Sequence, residues 1–290
     1  AGSGVLSLLF GVASIERLPA RFLNSLLLIF MNTEWNDMLA WVCFTCKRDE
    51  GLLPLHAEAI RLAAPRACIV YAMDEAEADM VLPEGCTRYV TRWPRRGNLL
   101  GYPAMMGILE TLLEVAEETG RIPVKVDSDI VVMGTQWLAP LVKGATGMLG
   151  ICPGQLFCAS GACYGIAPEL VRGMLDFLSH GTYWDIPGLR VEDETISMLA
   201  AMVSEPCKVT FLQHRAPDAA WVLSSIFAWP YFMDASPLRR CQAFIDCGDR
   251  KFLTAYEAAG FDATELKRRA MAACLAMMKG TPSPLGQGIS

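Results

Sequence analysis

The residues best suited to chemistry lie together in Val124-Lys125-Val126-Asp127-Ser128-Asp129-Ile130-Val131-Val132. Two carboxylates separated by one residue stand between two apolar runs, at the point where a buried strand would end. Acids this close repel one another unless a cation neutralises them, and a hard divalent ion with oxygen ligands is the natural partner. Such an ion keeps several waters and takes one or two carboxylates plus substrate phosphates. The bland alternative is an Asp-rich turn whose side chains cap local N–H groups. A turn does not need both acids flanked by buried strands, and this weighs for chemistry.

Further candidates are spread along the chain. Glu192-Asp193-Glu194 offers carboxylates that can take a proton from an attacking hydroxyl. Acids at a helix start also simply favour the dipole and cap the first turn. His214 follows a strand, and a lone histidine there is more often structural than functional. Arg92, Arg95 and Arg96 surround Trp93-Pro94; arginine forks match phosphate geometry, and a solvated basic loop is the competing reading. Tyr183 and Trp184 in a Gly/Pro-rich loop can form an aromatic platform for a ligand or pack that loop.

A carboxylate pair of this kind needs the carboxyl end of a strand in an open α/β sheet, where such folds bind ligands. The run Leu39–Thr45 is continuously apolar and of strand length, and a helix follows to about Ala64. Ala67–Ala72 is a second apolar run and Thr87–Thr91 a third candidate strand. Continuous rather than alternating apolarity suits strands covered on both faces. The segment Leu99–Thr119 is helix-periodic, and its Met-rich stripe reads as core. Gly120 stops it, and Ile122–Val126 leads into the Asp-Ser-Asp turn. Residues 39–132 thus alternate β-α-β-(α)-β-α-β, the pattern of a doubly wound sheet. Beyond them come strands at Gly147–Cys152 and Gln155–Ile166, a helix at Pro168–Leu178 and the loop His180–Leu189. A helix at Val191–Val203, a strand at Lys208–Gln213 and a mostly helical tail, clearest over Glu257–Met278, complete the chain.

Together these features resemble the GT-A glycosyltransferase superfamily, over about residues 39–215. Each motif is short, and their order and spacing carry the likeness. The resemblance implies a GT-A-like mixed open sheet of Rossmann type flanked by helices, with a helical C-terminal segment. It implies that Asp127 and Asp129, with His214, hold Mn2+ or Mg2+ against the diphosphate of a nucleotide sugar, and that the donor is UDP-linked. Phe44-Thr45-Cys46-Lys47-Arg48 and Met73-Asp74 fall where that superfamily cradles the nucleoside. Thr45, Cys46, Arg48, Asp74, Asp127 and Ser128 are therefore the implied nucleotide contacts. Ala159-Ser160-Gly161-Ala162-Cys163-Tyr164-Gly165 resembles the strand-turn facing the transferred sugar and the acceptor, which assigns Ser160, Gly161 and Ala162 there, with Trp184 as an acceptor-side platform. Val191–Ile196 resembles the element that supplies the base in inverting members, making Asp193 and Glu194 the catalytic candidates. The sugar, the acceptor and the stereochemical outcome are left open.

Four rivals compete with this reading. A haloacid-dehalogenase-type phosphatase also uses an apolar strand ending in D-x-D, but there the motif opens the fold. A dinucleotide dehydrogenase would carry G-x-G-x-x-G after an early strand, and neither early strand is followed by one. A sugar nucleotidyltransferase would carry a Gly-rich loop after the first strand, and Thr45–Gly51 lacks one. A GT-A-like protein that binds nucleotide and metal with little or no transfer is the fourth, because fold does not imply function.

Composition bounds the rest. The chain has 290 residues, 53% of them hydrophobic and 19% charged, enough for a sizeable core. A net charge of −6 offers no broad basic field, against duplex nucleic acid as a partner. Eleven cysteines, an odd number, lie singly in apolar runs and read as buried hydrophobes in a reducing cytoplasm. Cys43 and Cys46 form a C-x-x-C without a second pair at zinc spacing. Residues 1–30 hold two apolar runs, each shorter than the roughly 18–20 residues that span a membrane. They are expected to be a leader, non-native or dispensable, with Met31 as the start and peripheral membrane contact confined to them. The expected divisions are 31–145 for the nucleotide-sugar half, 146–235 for the acceptor side and 236–290 for the helical C-terminus.

Overall fold

The computed structural model describes residues 33–93, 102–152, 161–180, 192–203, 209–213, 244–248 and 262–280. After a short helix α1 (Thr33–Asn36) comes β1 (Leu39–Phe44), then a 3-10 turn at Lys47–Leu52 and α2 (Leu53–Ala63). β2 (Cys68–Met73), β3 (Thr87–Val90), α3 (Tyr102–Thr119), β4 (Ile122–Asp127) and β5 (Ile130–Val132) follow. Next are α4 (Ala139–Val142), β6 (Met148–Cys152), β7 (Cys163–Ile166), α5 (Pro168–Ser179) and α6 (Glu192–Val203). β8 (Val209–Gln213), β9 (Phe244–Asp246) and α7 (Ala263–Met278) are the last.

Among the described residues, seven strands form one sheet in the order β3-β2-β1-β4-β7-β6-β8. β1 is parallel to β2 and β4, and β8 is parallel to β6, while β7 runs antiparallel between β4 and β6. The expected fold class, a mixed open sheet of Rossmann type flanked by helices, is the one observed. Strand order reverses between β1 and β4, so the crevice outside their carboxyl ends is the topological switch point at which such sheets bind ligands.

Continuous apolarity in β1 has the expected cause. Leu39, Trp41 and Cys43 pack on one face with Leu53, Ala57 and Ile60 of α2. Ala40, Val42 and Phe44 pack on the other with Met105, Ile108, Leu109 and Leu112 of α3. Side chains alternate across a strand, so a strand covered on both sides must be apolar at every position. The Met-rich stripe of α3 is core, as expected. Gly120, at φ +65, ends α3 in the left-handed region and turns the chain into β4.

Three expectations change. The strand expected over Gln155–Ile166 begins at Cys163, after a turn at Gly161–Ala162; residues 153–160 lie outside the described ones. The tail helix does not run unbroken from Glu257. Asp262 is extended (φ −73, ψ 118), and its side chain accepts from the backbone N–H groups of Thr264 and Glu265, so α7 starts at Ala263. β9 was not anticipated: three residues are too few for a periodic signal, and they pair with β5 from more than a hundred residues away. α7 packs over this small β5–β9 sheet through Ala270, Met271, Cys274 and Leu275, against Leu52, Val131, Ile245 and Cys247.

The buried cysteines Cys43, Cys163, Cys247 and Cys274 form no disulfide among the described residues. Among those residues, no helix is long and apolar enough to cross a membrane. Residues 1–30 lie outside them.

Candidate functional site

At the switch point, Phe44 of β1 stands opposite Asp127 of β4. Thr45, just beyond β1, donates its N–H to Ala72 O at 2.9 Å, and the Asp127 N–H donates to Ala162 O at 2.9 Å. The exits of β1, β2 and β4 and the start of β7 are thereby tied at one edge. Thr45, Cys46, Arg48, Asp74, Asp127, Ser128, Gly161 and Ala162 all fall there, so the sheet does gather most of the residues the sequence nominated.

Asp127, Ser128 and Asp129 turn three ways. Val124 and Val126 face the α2 side of the sheet, so Lys125 and Asp127 face the opposite side. Lys125 is 3% exposed, and its ammonium is 2.6 Å from Asp127 Oδ1. The same ammonium donates to Gly161 O and lies 3.8 Å from Glu192 Oε1 at the start of α6. A buried charge is stable only when paired and hydrogen-bonded. Lys125 meets that demand by joining the three short motifs: the acid pair, the Ser-Gly turn and the Glu-Asp element. Cys163, opposite Val126 in the sheet, has its thiol pushed up by burial.

Ser128 is buried and donates its hydroxyl to Asp49 Oδ2 at 2.8 Å. Asp49 is 5% exposed, and its other oxygen, Oδ1, has no hydrogen-bond partner among the described residues. Arg48 Nε approaches that oxygen only to 3.8 Å, from a side chain 76% exposed. The buried Thr45 hydroxyl likewise lacks a partner among the described residues. Two orphaned polar atoms beside a switch point are a reason to expect a polar ligand there.

Asp129 is held from the far end of the chain. Its Oδ2 is 2.7 Å from Lys267 Nζ of α7, the side chains being 15% and 12% exposed. Burial pushes the Lys267 ammonium down, but the charge and hydrogen bond of Asp129, with Asp49 nearby, outweigh it and hold the group above its ordinary value. The backbone of Gly248 lies so close that a Cβ there would stand 1.9 Å from Asp129 Oδ2. The Cys247 N–H donates to Asp129 O at 2.9 Å.

Whether these residues suit Mn2+ or Mg2+ follows from the donor set. Asp127, 37% exposed, offers the hard oxygen such ions take at an open rim. Asp129 offers the same chemistry once its ammonium partner leaves. Among the described residues, no three His, Cys, Asp or Glu side chains cluster as a ready-made metal cage. A site of one or two carboxylates completed by substrate phosphates is the kind Mg2+ ordinarily uses.

Other nominated residues divide as follows. Glu194 is half-buried in the first turn of α6. Asp193 lies in the same turn, with its side chain outside the described set, as are Ser160, Trp184 and His214. Arg92 is exposed and pairs with Glu114 at 3.4 Å, while Trp93 donates its indole N–H to Thr111 Oγ1. Arg95 and Arg96 lie outside the described residues.

Sequence reasoning gave no role to Lys125, Asp49 or Lys267, and it did not foresee that Glu192 would face Lys125. A signal existed for Lys125: an ionisable residue between Val124 and Val126, two before Asp127, shares the strand face of that acid. Lys267 gave none, because only the fold brings α7 to Asp129.

No family model matches the chain, and no curated protein matches it. Among solved structures it is similar to the glycosyltransferase GlyE of Streptococcus pneumoniae TIGR4, at 11% identity and a TM-score of 0.39. That overlay covers 84% of this chain and 65% of GlyE, so the chain spans less than two thirds of that protein's length. It is also similar to the galactosyltransferase LgtC in complex with donor and acceptor sugar analogs, at 13% identity and a TM-score of 0.42, covering 79% of this chain and 95% of LgtC.

Proposed function

We propose that this protein transfers a sugar from a nucleotide sugar, UDP-linked, to an acceptor hydroxyl, with a divalent cation at Asp127 and Asp129. The observation carrying this reading is the Lys125 junction. It draws Asp127, Gly161 and Glu192 together at the switch point, so a donor bound at the β1–β4 crevice would lie between the acid pair and the acceptor-side elements.

In such a transfer the bond from the anomeric carbon to the diphosphate oxygen breaks, and a bond to the acceptor oxygen forms through an oxocarbenium-like centre. The acceptor proton passes to a carboxylate of the α6 start, Asp193 or Glu194, if the outcome is inversion. Thr45, whose hydroxyl has no partner among the described residues, and Asp74 would contact the nucleoside. Lys125 would fix the Asp127 carboxylate without itself touching the donor. A divalent ion, when bound, supplies Lewis-acid neutralisation of the departing diphosphate. The phosphatase alternative fits less well, because a nucleophilic Asp127 would have to attack while held by a buried ammonium 2.6 Å away.

The test is calorimetry with UDP and Mn2+. The expected result is UDP binding that requires Mn2+ and is lost in both Asp127→Ala and Asp129→Ala. Intact binding in either variant, or no nucleoside diphosphate binding at all, overturns the reading. Hydrolysis or transfer from a UDP-sugar then separates an enzyme from a nucleotide-binding module.

A further inference from the structure

We propose that Lys267 is the resident counter-ion of Asp129, and that a divalent cation gains this carboxylate only by displacing it. Helix α7 then sets the cation affinity of the site. The inference rests on reading Asp127 and Asp129 as cation-binding, and adds a residue that controls when this binding occurs.

The geometry is that of a filled position. Lys267 Nζ lies 2.7 Å from Asp129 Oδ2, with both side chains largely withdrawn from solvent. A hard cation binds through those carboxylate oxygens, and two cations cannot share them without strong repulsion. The lysine is not delivered by a loose tail. Asp262 caps the helix that carries it, and Met271, Cys274 and Leu275 bury that helix against Val131, Ile245 and Cys247. Gly248 closes on the same carboxylate, which limits how far Asp129 can swing to escape its partner.

The structure also contains an acceptor for the displaced ammonium. Asp49 Oδ1 is buried and without a hydrogen-bond partner among the described residues, and the Asp49 charge already acts on Lys267. On cation binding, Lys267 turns from Asp129 Oδ2 to Asp49 Oδ1. The exchange keeps the ammonium paired and satisfies the orphaned oxygen, so neither state strands a buried charge. A substrate diphosphate that brings its own negative charge favours the same exchange.

Mn2+ titration of the full chain without nucleotide, followed by calorimetry, tests this. Lys267→Met should bind Mn2+ at least about tenfold more tightly than wild type, because an unpaired buried carboxylate gains a vacant position for a cation. Lys267→Arg, which keeps the charge, should bind as weakly as wild type. Equal or weaker affinity in Lys267→Met overturns the proposal. A second variant tests the receiving side: Asp49→Asn, which removes the charge that takes up the displaced ammonium, should weaken Mn2+ binding severalfold in the wild-type chain but much less in Lys267→Met. Equal weakening in both backgrounds overturns the proposal as well. Repeating the titrations with UDP separates the two levels of failure. If wild type binds Mn2+ with UDP and Lys267→Met gains nothing, only the counter-ion role falls. If no protein binds Mn2+ with or without UDP, the cation reading falls, and the proposal with it.

Discussion

A lysine inside a buried strand persists only where its charge is met, and Lys125 is met by Asp127, by the Gly161 carbonyl and by Glu192. Removing one partner of such a group leaves the others uncompensated, which costs more than the pair's own net attraction is worth. Lys125→Met should therefore destabilise the chain by about 2–3 kcal/mol, below the range for a fully buried pair because Asp127 keeps 37% of its exposure. Urea unfolding measures this; a loss under about 1 kcal/mol would mean the junction is not what holds the motifs together. In the double variant with Asp127→Asn, part of the loss should return, since one uncompensated carboxylate is gone. At this scale the acid pair was legible from two carboxylates between apolar runs. Its partners were only half legible. Lys125 shares a strand face with Asp127 by simple alternation, whereas Asp49 and Lys267 reach Ser128 and Asp129 through contacts 79 and 138 positions away in sequence.

Elements were the most legible level, for a physical reason: both faces of the sheet are covered, so the central strands are apolar at every position and stand out in the sequence. The parallel block β1-β2-β3-β4 and helices α2 and α3 follow from that pattern with shifts of a few residues at the ends. What failed to register was set by non-local pairing or by a single cap. β9 exists because Ile245 pairs with Val131, and α7 starts where Asp262 caps it. The segment after β9 carries a sharp steric requirement. A methyl group on Gly248 would stand 1.9 Å from Asp129 Oδ2, and Asp129 is pinned by Lys267, so the backbone must move. Gly248→Ala should cost about 1–3 kcal/mol, the usual range for forcing extra volume into a packed site. Amide exchange should quicken in β5 and α7 before the rest of the sheet. Uniform loss of protection, or none, would show that this approach does not fasten the small sheet.

The molecule as a whole is built from two apolar layers on one sheet, with α7 and the β5–β9 pair sealing the rim beside the acids. Deep in the α2 layer lies an ionisable group that the proposed chemistry does not use. His56 is fully buried, with Nδ1 3.0 Å from the Tyr71 hydroxyl, which itself donates to Leu53 O, and with Nε2 unpartnered among the described residues. Burial drives its pKa down to about 3, so the folded protein holds it neutral. In the unfolded chain the same ring titrates near its ordinary value, about 6.5. Between those values the unfolded state binds a proton that the folded state does not. Stability is therefore complete above about pH 6.5 and declines as pH falls toward 3. Carboxylates held low in the fold, such as Glu265, pushed down to about 2 by Arg268 and Arg269, act in the same direction but only below their ordinary range near 4.5. The interval from pH 7 to pH 5 lies above that range and spans the histidine's. Over it His56 should lower the free energy of unfolding by about 2 kcal/mol, one proton's worth of linkage. His56→Gln, though less stable at pH 7 for its altered packing, should lose most of that slope. Urea midpoints at the two pH values for both proteins decide the matter: parallel declines would mean that His56 titrates in the folded core and that the α2 layer opens to water.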